Sequence, residues 1–596
     1  MIDFRNINTV WASVLVETLY RLGLKTAIIC PGSRSTPLTV AFVRHLEIES
    51  IPILDERSAA FFALGIAKRS GLPTVLVCTS GTAGANFYPA VIEAKESRIP
   101  LIILTADRPA ELRNCHAGQT IDQVKLYGDF VNGYTELSLP SLDLELLSYL
   151  RQTIIYSWEK SLFPMNGVVH VNIPFRDPLH PINQRGAEQL EEIFPQDFFD
   201  HISLLTSNLS SCLSIQSDLK QWQKIEKGII IAGVAQPQNP QNYCQAIAQL
   251  AEQLNWPVLA EGLSPLRNFS NDNSYLISTY DSFLRHSEIP QNLIPEIVIQ
   301  IGDFPTSKVL RSWLKSLQVE TVIIDETYQN LDVLHSRSTH LRISIQQLGE
   351  FLKTQTDNNQ ADSKSVYFQY WSNLARQTQQ YINQEMKNIN TLIEPKIAWL
   401  LSQDLPTKTS IFIANSMPVR DVESFWMPNS CQIQPFFNRG ANGIDGTFST
   451  ALGIAHHHQN SILLTGDLAL LHDTNGGLIC PKFKGSLTII LINNNGGGIF
   501  EMLPISQFEP PFEEFFATPQ SINFTDWCQT YQIKYELIQS WEQFTNRISC
   551  LPSSGVHLLE IRTNRKKDTQ WRKLFFEQLK RKIHPKDTES YRGIVC

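Results

Sequence analysis

A carboxylate at Asp467 and an amide at Asn494 stand 27 positions apart, and the second opens the glycine-rich turn Gly496-Gly497-Gly498. Each follows a short apolar run, Ser461–Thr465 and Leu487–Ile492, of the kind that forms a buried strand. One crossover helix fits between the runs, so the strands are expected to lie parallel. Asp467 and Asn494 should then meet at the carboxyl edge of the sheet, where open α/β sheets bind ligands. Mg²⁺ takes about six hard oxygen ligands, often one or two carboxylates with water and phosphate oxygens. Asp467, the Asn494 side chain and a carbonyl near Gly496 supply three, leaving places for a diphosphate and a water. A Gly-Asp pair alone is ordinary punctuation after a strand; the two halves together, both after strands, point to a metal and phosphate site.

Other polar loops close other apolar runs. Thr26–Cys30 leads into Pro31-Gly32-Ser33-Arg34-Ser35, and a planar guanidinium there matches a carboxylate. Ile53-Leu54-Asp55-Glu56-Arg57 precedes a helix expected over Ser58–Lys68, which puts Glu56 near a helix N-terminus, a favourable place for an acid. Thr74–Cys78 ends in Thr79-Ser80-Gly81-Thr82, hydroxyls and glycine suited to a turn facing a cofactor. Pro100–Thr105 ends in Ala106-Asp107-Arg108-Pro109, followed by the loop His116–Thr120. Ser410–Ala414 ends in Asn415-Ser416-Met417-Pro418-Val419-Arg420, and Arg439 opens Arg439-Gly440-Ala441-Asn442-Gly443-Ile444-Asp445-Gly446. Lys308, after Glu296–Ile301, is open to two readings, a cation for a substrate carboxylate or a solvated surface lysine. His456, His457 and His458 follow the expected helix Thr447–Ala455; consecutive helical residues point in different directions, so solvation of a helix end is expected rather than joint metal ligation.

The elements that must position these loops alternate strand and helix, the pattern of doubly wound parallel sheets. With 596 residues the chain exceeds a single core. An α/β domain is expected over residues 1–182, a linker and middle Rossmann-like domain over 183–353, a third α/β domain over 366–565, and a basic tail over 566–596. The middle domain shows no Gly-x-Gly-x-x-Gly motif, which argues against dinucleotide binding. Residues 182–216 and Thr354–Ser365 read as linkers. A net charge of −8 argues against general nucleic-acid binding, and no apolar run reaches the ~18 residues of a membrane span. The ten cysteines include no Cys-x-x-Cys pair and read as reduced, mostly buried thiols. The start, MIDFRNINTVW, carries Asp3 and no basic region leading into an apolar stretch, so a cytoplasmic location is expected.

The two-part pattern Gly466-Asp467-Leu468 and NNNGGGIF resembles the metal and diphosphate signature of thiamine diphosphate enzymes, with leucine in place of the usual third glycine. Together with DER before ALGIAK, TSGTAGANFYPAV, NSMPVRD and RGANGIDG, it resembles the 2-succinyl-5-enolpyruvyl-6-hydroxy-3-cyclohexene-1-carboxylate synthase branch. The resemblance implies three doubly wound parallel-sheet domains, binding pyrimidine, a middle function and diphosphate in that order. It implies thiamine diphosphate and Mg²⁺, with Mn²⁺ able to substitute, and a homodimer or homotetramer whose sites lie between chains. By the same resemblance Glu56 shares a proton with the cofactor's aminopyrimidine, and Ile444 wedges the cofactor into a bent shape. The cofactor-binding set is Ser80, Gly81, Thr82, Gly443, Ile444, Asp467, Leu468, Asn494, Gly496, Ile499 and Phe500, with the metal on Asp467, Asn494 and Gly496. The implied reaction decarboxylates 2-oxoglutarate and adds the remaining four-carbon unit in a 1,4 sense to isochorismate, on the way to menaquinone or phylloquinone. Both substrates are dicarboxylates, which suits Ser33, Arg34, Arg108, Gln119, Ser416, Arg420, Arg439 and Lys308 as binding residues. Another thiamine diphosphate-dependent 2-oxoacid decarboxylase, or an acetolactate synthase-like carboligase, is the alternative; the arginine-rich loops count against its small or apolar donors.

Overall fold

The computed structural model describes residues 2–200, 202, 215–286, 291–354 and 363–583. Parts of both expected linkers, 203–214 and 355–362, and the end of the expected tail, 584–596, lie outside the described residues. Three six-stranded sheets are present among the described residues, and every pairing within them is parallel.

The first sheet contains β1 (Thr26–Ile29), β2 (Glu49–Pro52), β3 (Thr74–Cys78), β4 (Leu101–Asp107), β5 (Gly133–Glu136) and β6 (Val168–Pro174), in the order β2-β1-β3-β4-β6-β5. The second contains β7 (Gly228–Ala232), β8 (Val258–Ala260), β9 (Leu276–Ile277), β10 (Ile297–Ile301), β11 (Glu320–Ile324) and β12 (Arg337–Leu341), ordered β12-β11-β10-β7-β8-β9. The third contains β13 (Ser410–Ile413), β14 (Gln434–Phe436), β15 (Ser461–Gly466), β16 (Ser486–Asn493), β17 (Lys534–Ile538) and β18 (Gly555–Arg562), ordered β14-β13-β15-β16-β18-β17. The central strands β3, β4, β7, β10 and β13 are buried along their whole length. That explains their continuous apolar sequences, since parallel strands are covered on both faces.

The chain divides into two compact units. The first comprises the described parts of Met1–Asn208 with Asn438–His458 and Ala469–Gly485; the second comprises the described parts of Leu209–Phe437 with Gln459–Leu468 and Ser486–Cys596. In the first unit the helix Glu56–Ser70 meets the helix Thr447–Ala455 through glycines. A Cβ on Gly65 would lie 2.2 Å from the Thr450 carbonyl oxygen, and one on Gly453 would lie 2.1 Å from that of Phe62. Only hydrogen fits at either position. Residues expected to be linker include the helix Arg185–Ile193, whose Ala187 and Leu190 join the core of this unit.

In the second unit the last described helix, Arg565–Lys582, is charged in sequence yet buries Arg565, Asp568, Arg572, Phe575 and Leu579. It is therefore packed structure along one face rather than a solvated extension. No described helix is long and apolar enough to cross a membrane.

Candidate functional site

In the second unit β15 and β16 are neighbours, with Gly466 opposite Ile492. Asp467 and Asn494 therefore leave adjacent strands at the same sheet edge. Asp467 is 5 % exposed; its Oδ1 accepts the Leu468 N–H at 2.8 Å and its Oδ2 accepts the Gly496 N–H at 2.8 Å. Burial raises the Asp467 pKa to about 6, with the nearby Glu394 charge adding to the effect and the backbone donors opposing it. Each carboxylate oxygen keeps a lone pair for a cation. Asn494, 7 % exposed, donates from Nδ2 to Glu394 Oε1 at 2.6 Å, and its own Oδ1 is buried without a hydrogen-bond partner. Gly496 adopts φ 128°, and a Cβ there would lie 2.3 Å from the Ala517 carbonyl oxygen, so the turn requires glycine. An orphaned amide oxygen beside a buried carboxylate fits a hard cation, and these residues fit the implied Mg²⁺. Leu468 continues into the helix Asp467–His472, and Ile499 and Phe500 lie in the 3₁₀ turn Gly498–Met502, with Phe500 edge-on to Phe516.

Behind Asn494 lies a buried charge cluster that sequence reading missed. Arg572 Nη2 donates to Glu394 Oε2 at 2.7 Å and to Asp421 Oδ2 at 2.6 Å, and Arg572 Nε donates to Asp421 Oδ1 at 2.9 Å. The Glu394 N–H donates to Asp568 Oδ2 at 3.2 Å. Burial, with Glu394's charge, pushes Asp421 up to about 6 and Asp568 to about 7. Burial opposes the charge on Arg572, but Asp421 and Glu394 hold it protonated.

Also in this unit, Ser416 follows β13 at the N-cap position of the helix Met417–Phe425, without a side-chain capping bond, and the Arg420 guanidinium donates to the Ser416 carbonyl. That helix is anchored by Asp421 on Arg572 and by Glu423 on the buried Arg267, at 2.9 Å. Lys308 is exposed in the first turn of the helix Lys308–Leu317, after β10, and so belongs to a different sheet from Ser416 and Arg420.

In the first unit a second group gathers at the ends of the neighbouring strands β1, β3 and β4. The Arg108 guanidinium donates to the Ser80 hydroxyl and, at 3.0 Å, to the Gly118 carbonyl; Gln119 Nε2 donates to the Ser80 carbonyl at 3.0 Å. The Gly81 N–H donates to Gln123 Oε1 at 2.9 Å, and Gln123 is in turn tied to Asn172 at 2.8 Å. Thr82 begins the short helix Thr82–Asn86. Arg34, beside Ser33, is 8 % exposed and donates to the Phe175 carbonyl at 2.8 Å, while its Nε is buried without a partner. Burial lowers the Arg34 pKa and the Arg108 charge lowers it further. Asp177, whose Oδ2 lies 4.0 Å from Arg34 Nη1, and Asp107 work against both effects.

Glu56 is the first residue of its helix, behind the N-cap Asp55, which accepts the Ser58 N–H at 2.9 Å. Burial raises the Glu56 pKa and the Asp55 charge adds to it, so this carboxyl retains a proton more readily than an exposed one. In the same unit Glu93 receives the backbone N–H groups of Gly440 at 3.0 Å and Ala441 at 2.7 Å, which fixes the segment after Arg439. Gly443 packs against the Asp445 carboxylate, and the Ile444 carbonyl accepts the Thr447 hydroxyl at 2.7 Å. Glu93, Gln123 and Asn172 carried no motif that would mark them in the sequence.

The histidine run divides. His456 and His457 both direct Nε2 to Glu49, at 3.1 and 2.9 Å, and Lys484 meets the same carboxylate at 3.0 Å. His457 lies beyond the helix at φ 59°, so helical geometry does not separate these two rings, contrary to the simple solvation expected.

A family model described as "Thiamine pyrophosphate enzyme, N-terminal TPP binding domain" matches residues 10–126, and one described as "Middle domain of thiamine pyrophosphate" matches residues 201–413. A 2-succinyl-5-enolpyruvyl-6-hydroxy-3-cyclohexene-1-carboxylate synthase from Trichodesmium erythraeum is 61 % identical over 572 residues, covering 96 % of this chain and 98 % of that protein. Proteins of the same name from Gloeothece citriformis and Rippkaea orientalis are 60 % and 57 % identical, over 96 % and 98 % of this chain and 98 % of each relative.

Proposed function

The chain belongs to the 2-succinyl-5-enolpyruvyl-6-hydroxy-3-cyclohexene-1-carboxylate synthase family of thiamine diphosphate enzymes, and on that premise we propose the reaction and residue roles that follow. It is a transferase that decarboxylates 2-oxoglutarate and adds the remaining four-carbon unit to isochorismate, in menaquinone or phylloquinone biosynthesis. The observation that carries the reading is the meeting of Asp467, the unpartnered Asn494 Oδ1 and the Gly496 turn at the ends of two adjacent parallel strands.

When bound, thiamine diphosphate supplies an electron sink for the carbon left by loss of CO₂. The chain's own contribution is to bind, orient and hold protons. Asp467, Asn494 Oδ1 and the Gly496 carbonyl would hold Mg²⁺, which would neutralise the diphosphate, while Leu468, Gly443, Ile499 and Phe500 would line the cofactor. Mn²⁺, also an oxygen-seeking ion, can take the same ligands. Glu56 would share a proton with the aminopyrimidine ring, a role in line with the rise in its pKa on burial. Ile444 packs against the cofactor as a wedge, on a segment fixed by Glu93. Ser80, Gly81 and Thr82 form a turn that Arg108, Gln119 and Gln123 hold in place.

Arg34 and Arg108, with Ser33 and Gln119, receive substrate carboxylates. Ser416, Arg420, Arg439 and Lys308 are the further substrate contacts. Crowded arginines favour dicarboxylates over the small donors of an acetolactate synthase-like enzyme. The working form is a cytoplasmic homodimer or homotetramer with the site between chains, following the family plan.

The test follows isochorismate absorbance in the presence of 2-oxoglutarate, Mg²⁺ and thiamine diphosphate, omitting each in turn. Consumption that requires every component is expected. Release of CO₂ from 2-oxoglutarate with isochorismate untouched would remove the acceptor from the proposal.

A further inference from the structure

We propose that Glu394, backed by Arg572 of the helix Arg565–Lys582, is a positioning residue that sets which atom of the Asn494 amide faces the metal. The proposal rests on the metal reading given above and deepens it. The Asn494 amide nitrogen donates to Glu394 Oε1 at 2.6 Å, and Oε2 of the same carboxyl is taken by the Arg572 guanidinium at 2.7 Å. The planar amide then turns Oδ1 the other way, and that oxygen is the buried atom without a partner. An asparagine without such a neighbour could present either atom to a cation, and only the oxygen is a ligand.

Glu394 is itself 1 % exposed, and both of its oxygens are engaged. Oε1 accepts from Asn494 and, at 3.5 Å, from the Thr563 hydroxyl; Oε2 accepts from Arg572 at 2.7 Å. This leaves Glu394 as an outer support rather than a ligand, the arrangement by which metal sites orient their ligands.

The same helix grips the next residue of the loop. Arg565 Nη1 donates to the Asn495 carbonyl at 2.6 Å, while its Nε donates to Glu501 at 2.9 Å. Arg565 and Arg572 stand seven residues apart, two helical turns, and so share a face. One arginine fixes the loop's backbone and the other fixes the carboxylate that orients its side chain. This assigns a task to a basic C-terminal segment that its sequence left without one.

The test uses the full chain and measures thiamine diphosphate binding by calorimetry across a Mg²⁺ series. In Glu394→Gln the neutral amide can donate to Asn494 Oδ1 and allow the side chain to flip, so apparent Mg²⁺ affinity should fall about tenfold or more and recover at high Mg²⁺. Asn494→Asp placed in that background offers oxygen in either orientation and should restore Mg²⁺ affinity, a rescue that a merely structural role does not provide. Glu577→Gln, on the exposed side of the same helix where Glu577 meets Lys580, should leave Mg²⁺ affinity within about twofold. If Glu394→Gln does not fold, Glu394→Asp is read in the same titration; its shorter reach should weaken Mg²⁺ binding, and unchanged affinity would overturn the proposal. Unchanged affinity in a folded Glu394→Gln, or no rescue by Asn494→Asp, also overturns it. If the unmodified chain binds thiamine diphosphate without any dependence on Mg²⁺, it is the metal reading itself that fails.

Discussion

At the ends of β15 and β16, Asn494, Glu394, Arg572, Asp421 and Asp568 form a buried chain of matched donors and acceptors that terminates in one unpaired oxygen. At the ends of β1, β3 and β4, two guanidiniums stand close enough to repel, and Arg34 holds a buried donor unused. The first region is preorganised for a single cation in one geometry. The second brings two guanidiniums together with one buried donor unpartnered and Asp177 4.0 Å from Arg34. The difference suits the proposed division of labour, a resident cofactor held permanently and substrates that must arrive and leave.

The largest test of that division is Asp467→Asn. Loss of the carboxylate should abolish Mg²⁺-dependent cofactor binding and lower turnover about 10²- to 10³-fold, read by calorimetry and by isochorismate consumption. Normal cofactor binding would place the metal elsewhere. Arg108→Lys comes next. It keeps the charge but loses the planar fork, so KM for one carboxylate substrate should rise roughly tenfold, on the order of 1.5 kcal/mol, a larger change than the one in cofactor affinity that loosening the Ser80 turn brings. A loss of cofactor affinity larger than the rise in KM would erase the contrast between the two regions.

Gly65→Ala addresses the helix pair that carries Glu56 and follows Ile444. Its Cβ would fall 2.2 Å from a backbone oxygen, so thermal unfolding should show a loss of about 1–3 kcal/mol. An unchanged melting temperature would mean the helices are free to separate.

The smallest effect concerns Glu49. Burial works to raise its pKa, but Lys484, His457 and His456 bring it down to about 2. Its stabilisation is therefore complete above the ordinary glutamate value and is lost as pH falls through about 2. Glu49→Gln should flatten the stability curve below pH ~4.5, read by thermal unfolding across a pH series.

What the sequence reveals follows from what each residue does. Central strands such as β3 and β10 are buried on both faces, so their apolar runs are unmistakable. Asp467 and Asn494 are legible because each closes such a run. Edge strands β5 and β12 are partly exposed and carry no such run. Glu394 sits 100 positions before Asn494 at the start of an ordinary helix, and nothing local hints at their meeting. Arg572 lies within RKKDTQWRK, where it looks like another solvated charge; only the packing of that helix reveals its burial. The histidine pair was hidden by a backbone feature, the positive φ of His457, which no periodicity records.

The most direct test of the central claim is a crystal structure with thiamine diphosphate and Mn²⁺, the ion located by its anomalous scattering. Mn²⁺ is expected within bonding distance of an Asp467 oxygen, Asn494 Oδ1 and the Gly496 carbonyl, with Asn494 Nδ2 still on Glu394. An ion bound away from these residues, or ligated with the Asn494 oxygen turned toward Glu394, would contradict it.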